Sequence, residues 1–437
     1  MLPPLFFSVR IPTLLAQVWR SLFMKDCDDD LSGCAATSFI IFRLDAMGDV
    51  VMTTPLFREL KRAFPGSRCA VVVQQRSRPL LVTNSYIDEI LSPPRVNLKC
   101  FPQRVNALLA AWLLYWGHLR GRRFDIAISP RWDVDEHLAT LLCLLTNAGR
   151  RVGYTEKASP LKQRLNRGFE AAFSICLPAG PVRHEVVRNL SIVEALGGTV
   201  HDGRLEVRLT ERDRASASRL LASIPATTRV IALGIGAASP GRCWPLNRYA
   251  DCVSQLARQI RFCPVIVCSV GERDMGLGLQ RLLNRNCILL CGMPLREVCA
   301  VLERCHLFIG NDSGVAHLAA AMKCRTIVIS RHPRNGDPNH ANSPMRFGPH
   351  SDEARVLQPR TGLDDCSDCC KVSLPHCLKS INVGNVVTAA RGLLECVPAR
   401  VCSESTGDSS RQDRRHQLPL MAITSLRHGA SPGGDWK

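Results

Sequence analysis

Between residues 230 and 330 the chain repeats one pattern, a short apolar run followed by a helical stretch. Strands are expected over 230–233, 265–270, 287–290, 307–310 and 326–330, with helices over 248–260, 274–283, 295–304 and 315–322 between them. Strands separated by single helices have to run parallel, because each helix carries the chain back to the same sheet edge. Ligands meet such a sheet at the C-terminal ends of its strands. The most informative of these ends lies in 307–322, LFIGNDSGVAHLAAAM. Leu307, Phe308 and Ile309 lead into Gly310-Asn311-Asp312-Ser313-Gly314, and a helix follows from Val315. Gly310 and Gly314 let the backbone turn sharply, and Asp312 or Ser313 can cap the helix. Free N–H groups and a positive dipole end then face outward, which suits phosphate. The same residues also suit an ordinary capped strand-to-helix turn.

The first half carries a similar alternation. A strand over 39–44 runs into Asp45-Ala46-Met47-Gly48-Asp49, then a helix over 50–64 with Pro55 near its start, then a strand over 69–73. Strands over 87–91 and 124–129 flank a helix over 105–119, and a helix over 186–196 closes the half. The stretch 205–218 is polar and without strong periodicity, so the link between halves is placed over 206–228. The expected fold is α/β, with two doubly wound, Rossmann-like domains over 39–205 and 229–400 facing each other across a cleft. No sequence repeat relates the two.

The formal net charge of +18 narrows the partners. With aromatics at 5%, arginines scattered, and no zinc-finger spacing or RNP-like strand, nucleic acid is not expected. A phosphate-rich substrate or an anionic membrane surface fits better. The 21 cysteines are odd in number and many lie in apolar runs, which points to a reducing compartment. No apolar run reaches the roughly 18 residues that span a bilayer. Residues 1–38 read as an extension and linker. Leu14, Leu15, Val18, Trp19, Leu22 and Phe23 have helical spacing, so 1–24 is either an amphipathic anchor on an anionic membrane face or a disordered extension, unless the start was assigned too early. Residues 401–437 are polar and read as a disordered tail.

Asp49 stands at a strand-to-helix turn just after Gly48, where it is either a general base facing the cleft or simply an N-cap. In LGIGAASPGRCWP, residues 233–245, small residues allow close backbone approach to a diphosphate and Arg242 offers a forked donor. Glu272 follows the strand over 265–270 and either accepts from a ribose or base edge or sits in a first helical turn. Arg120, Arg122 and Arg123 crowd the end of the helix over 105–119; they complement its negative end or face an anionic acceptor. His317, one turn into an apolar helix, is either a core residue or a site residue. Cys366, Cys369, Cys370 and Cys377 form a weak zinc candidate, with plain thiols as the other reading. The loop over 336–349 either helps to shape a ligand pocket or is simply a loop.

IFRLDAMGDVVMTTPLFRELKRAFPGSRCAVVV resembles the opening of the lipopolysaccharide heptosyltransferase family, glycosyltransferase family nine. GIGAASPGRCWPLNRYADCVSQL is similar to the second block of that family, and FIGNDSGVAHLAAAM to its third. The resemblance implies a GT-B fold, with the N-terminal domain binding acceptor and the C-terminal domain binding nucleotide sugar. It implies inverting transfer from a nucleotide diphosphate sugar, typically ADP-heptose, to a lipid-linked glycan of the lipopolysaccharide core. By position, Asp49 would be the general base, with Gly48 shaping its turn. Ser239, Arg242, Glu272, Asp312, Ser313, Gly314 and His317 would serve the donor. No cofactor is implied, and the enzyme would be cytoplasmic, peripheral on the inner face of the inner membrane. The sequence departs from the family where Ala237 and Ala238 replace hydroxyl residues and where Arg242 replaces a common lysine. A non-transferring nucleotide-sugar enzyme of the epimerase kind, or a non-catalytic nucleotide-sugar-binding protein, are the other readings.

Overall fold

A computed structural model describes residues 37–96, 103–362 and 377–395. The amphipathic segment over 1–24 and the tail over 401–437 lie outside these residues. The described chain builds two six-stranded sheets, parallel throughout. The first contains β1 (Ser38–Arg43), β2 (Arg68–Val73), β3 (Glu89–Leu91), β4 (Ile126–Ile128), β5 (Arg150–Tyr154) and β6 (Ile175–Leu177), in the order β3-β2-β1-β4-β5-β6. The second contains β7 (Arg229–Gly234), β8 (Phe262–Cys268), β9 (Ile288–Cys291), β10 (Leu307–Asn311), β11 (Thr326–Ile329) and β12 (Ala354–Leu357), in the order β12-β11-β10-β7-β8-β9. Counted from its own first strand, the second sheet repeats the order of the first. Each sheet changes direction of winding once, between β1 and β4 and between β7 and β10. Those two crevices are where a doubly wound sheet takes its ligand.

The central strands are apolar without alternation because both their faces are covered. Phe39 and Ile41 of β1 pack into one buried cluster and Ile40 and Phe42 into another. A further cluster crosses from one sheet to the other, joining Val51, Met52, Val186 and Leu190 to Val298, Ala316 and Leu318. At its centre the helix Met47–Ala63 packs on the helix Gly314–Ala321. The first of these helices holds Pro55, which cannot donate to the Val51 carbonyl; the Thr54 hydroxyl donates to it instead, at 2.7 Å.

The polar stretch between the sheets is more than a link. It contains a helix, Glu211–Leu220, opened by a reciprocal cap between Thr210 and Asp213. Ion pairs Arg214–Glu303 and Arg296–Asp213 fasten it to the helix Leu295–Arg304. The helix expected over 105–119 is present as Gln103–Leu114, continued by a wider π turn, Tyr115–Leu119. A terminal helix, Val383–Glu395, packs against the helix Leu246–Ala257 and closes one face of the second sheet.

Candidate active site

Both winding crevices open into one cleft of about 1000 Å³. From the first sheet it is lined by Ala46, Gly48, Asp49, Arg76, Arg95 and Arg131, and from the second by Gly236, Ala237, Ala238, Arg242, Glu272, Asp312, Ser313, Gly314 and His317.

On the first side, β1 ends in Arg43, fully buried, and the chain turns through Asp45 to the helix at Met47. One Asp49 carboxylate oxygen accepts the Ala46 N–H at 3.1 Å, the local role of a helix-start aspartate. The other lies 3.4 Å from Arg43 and 3.8 Å from Arg131. Asp45 completes a four-charge cluster, 3.4 Å from Arg43 and 3.5 Å from Arg131. Burial works against the Asp45 carboxylate, but Arg131 and Arg43 outweigh it and hold it below the usual range. Arg131 arrives from the end of β4, the strand across the crevice from β1.

On the second side, Asn311 fastens the loops together. Its side-chain oxygen accepts the Trp244 N–H at 2.9 Å and the Tyr249 hydroxyl at 3.1 Å, and its amide donates to the Ile235 carbonyl at 2.7 Å. Trp244 is buried, and its indole N–H reaches the Ile381 carbonyl. Arg242, thus placed, donates to the Asp312 carboxylate at 2.7 Å and to its carbonyl at 3.0 Å. Glu272 accepts the Ser269 N–H and hydroxyl at 2.8 and 2.7 Å. A Cβ on Gly236 would stand 2.1 Å from its carboxylate, so a side chain there would push the Glu272 carboxylate aside.

The two sides touch at glycines. A Cβ on Gly48 would lie 2.6 Å from Cδ2 of His317, and one on Gly314 would lie 2.3 Å from Cε of Met47. His317 is 6% exposed, and its buried Nδ1 has no hydrogen-bond partner among the described residues. Burial pushes its pKa down, opposed by Asp312 and Asp49, so the ring is neutral between two carboxylates.

Ser239 does not line the cleft; its carbonyl accepts the Arg242 N–H. Arg120, Arg122 and Arg123, expected beside the acceptor, do not line it either. They stand at a helix-to-strand turn, and in a parallel sheet such turns lie at the edge opposite the strand C-termini. Arg122 is paired with Glu89 at 2.5 Å and Arg120 lies on the Trp116 ring. Of the cysteine cluster, Cys366, Cys369 and Cys370 fall outside the described residues, and Cys377 is buried. No group of three or more metal-ligating side chains occurs among the described residues. The loop over 336–349 contributes Ala341 and Phe347 to the cleft. Sequence reasoning missed Arg43, Asp45 and Arg131. The available signal was the SPRWD turn directly after the strand over 124–129, another strand C-terminus.

The model of glycosyltransferase family 9 (heptosyltransferase) matches residues 112–355. Lipopolysaccharide heptosyltransferase 3 of Escherichia coli (strain K12) is 24% identical over 290 residues, 65% of this chain and 78% of that protein. Among solved structures, a family 9 glycosyl transferase from Veillonella parvula aligns with a TM-score of 0.67 at 21% identity, over 84% of this chain and 99% of that one. ADP-heptose lps heptosyltransferase II of E. coli aligns at 0.59 and 18%, over 82% and 98%.

Proposed function

The chain belongs to glycosyltransferase family 9, the heptosyltransferases, and from that premise we propose that it transfers a heptose from ADP-heptose to a lipid-linked glycan of the lipopolysaccharide core, with inversion. Its paired parallel sheets are the GT-B architecture of that family. One observation carries the reading: Asp49 from one sheet and the Arg242, Asp312 and Ser313 turns from the other line the same cleft.

The chemistry follows from that opposition. The acceptor hydroxyl attacks the anomeric carbon, and its proton passes to the Asp49 carboxylate. The bond from the anomeric carbon to the diphosphate oxygen breaks, and the diphosphate leaves with the electron pair. Arg242 and the N–H groups opening the Gly314–Ala321 helix face the charge that develops there. Asp312 holds the Arg242 fork in place before donor arrives. Glu272, Gly236 and Ala237 form the wall for ribose and base. The work takes place on the cytoplasmic face of the inner membrane, where the enzyme contacts lipid peripherally.

Asp49→Ala should abolish transfer while ADP affinity stays within about twofold; unchanged turnover would remove Asp49 as the base. Arg242→Ala should weaken ADP binding by roughly tenfold, about 1.4 kcal/mol. A thermal-shift series separates the readings: stabilisation by ADP-heptose and not by UDP-sugars fits the proposed donor. ADP-heptose binding without turnover would instead favour a binding protein, a reading kept open by Ala237 and Ala238 on the cleft wall.

A further inference from the structure

The helix Gln103–Leu114 and its π turn Tyr115–Leu119 bury one face and leave the other bare. Ala111, Leu114 and Leu119 enter the core of the first sheet. Val105, Leu108, Trp112 and Trp116, at helical spacing, form the outer stripe, with the two tryptophans 54% and 46% exposed. Their rings stand 6.0 Å apart. Trp132 and Trp244, by contrast, are each 1% exposed. Single exposed apolar side chains are ordinary, but a contiguous stripe with neighbouring tryptophans marks a surface that meets something.

Charge identifies the partner. From 103 to 123 the sequence contains four arginines and no aspartate or glutamate. The Arg120 guanidinium rests on the Trp116 ring, 4.1 Å from its centroid. Tryptophan beside arginine on an amphipathic helix suits the boundary between acyl chains and anionic headgroups. A second observation comes from the helix's other flank. There Asn106, Ala107 and Ala110 line a pocket of about 410 Å³ together with Arg76 and Arg95, and both of these arginines also line the main cleft.

We propose that the Trp112–Trp116 face lies in the headgroup layer of an anionic bilayer, so that a lipid-anchored acceptor passes the flank of this helix along Arg76 and Arg95 to Asp49. The docking stands by itself; the delivery step rests on the acceptor proposed above. Arg120 and Arg123 then meet lipid phosphates instead of the glycan.

The test uses the full chain and vesicles of phosphatidylcholine with 30% phosphatidylglycerol. Wild type should sediment with them and not with pure phosphatidylcholine. Trp112→Gln/Trp116→Gln should lower the partition coefficient at least tenfold with its melting temperature unchanged. An unaltered partition would overturn the proposal and point to the segment over 1–24. A concentration-dependent dimer in wild type, lost in the variant, would overturn it in favour of a second copy. The double variant should also lose at least tenfold in transfer to acceptor held in vesicles, yet keep transfer to the deacylated, water-soluble acceptor. If wild type transfers to neither acceptor, the functional reading fails while the vesicle result still decides the docking.

Discussion

Gly48 has the His317 ring where a side chain would project. The ring is buried between the two halves, so an alanine there must displace the ring or the backbone on one side of the cleft. Overpacking of that kind costs about 1–3 kcal/mol. Gly314→Ala makes a contact that is closer on paper, but with Cε of Met47, the free end of an unbranched side chain. The two variants should therefore rank opposite to their contact distances. In urea melts Gly48→Ala should lose about 1–3 kcal/mol and at least tenfold in turnover, whereas Gly314→Ala stays within about 1 kcal/mol of wild type. Equal losses would contradict the assignment of His317 as the rigid partner. Asn311 poses a different residue-scale case, because it satisfies two donors and one acceptor inside the core. Asn311→Ala takes the partner from the Trp244 N–H and the Ile235 carbonyl, while the Tyr249 hydroxyl keeps the Gly234 carbonyl at 3.2 Å; a loss of about 2–4 kcal/mol by chemical denaturation is expected.

At the scale of elements, the segment between β11 and β12 pins one half to the other through Arg346, which is fully buried. Its guanidinium donates to Glu185 at 2.9 Å and Asp133 at 3.1 Å and lies 4.4 Å from the Trp132 ring centroid. Arg346→Met would take the nearest cation from two carboxylates, leaving the enclosed Glu185 with Arg188 at 3.6 Å alone, and should cost up to about 3–5 kcal/mol in urea denaturation. Arg346→Lys should recover only part of this, since an ammonium has neither the fork nor the flat face. Nothing in the RFGP run announces such a role, because both acids come from the other half of the chain. The same limit separates what was legible from what was not. The runs FIIF, AVVV and LFI name their strands directly, being apolar on both faces. Strands β5, β6 and β12 escape because they are short, lie toward sheet edges, and in two cases carry arginine. Asp49 and Arg242 are legible from their turns, yet Arg131 becomes part of the site only once β4 pairs with β1. Arg120, Arg122 and Arg123 show the converse: charge alone does not say at which edge of a sheet a residue lies.

Across the whole molecule, three histidines join the halves in the neutral form. His184, in the first half, caps the helix Glu185–Ala195; its Nδ1 accepts the Val186 N–H at 3.2 Å. Its Nε2–H donates to the Gly348 carbonyl of the second half at 2.9 Å, and its ring stands 4.8 Å from that of His350. One neutral tautomer satisfies both bonds, and a second proton would remove the cap. Burial pushes His184 down to about 4, and His350 and His317 are also lowered by burial. The unfolded chain takes up these protons near pH 6.5. Between about pH 6.5 and 4 it therefore binds more of them than the native state, and stability falls as pH falls through that window. His184 alone should account for about 1–2 kcal/mol between pH 7 and 5. His184→Asn keeps a capping oxygen and removes the titration. Urea midpoints measured at pH 7 and pH 5 should fall less for this variant than for wild type; identical slopes would mean that the proton is taken up elsewhere.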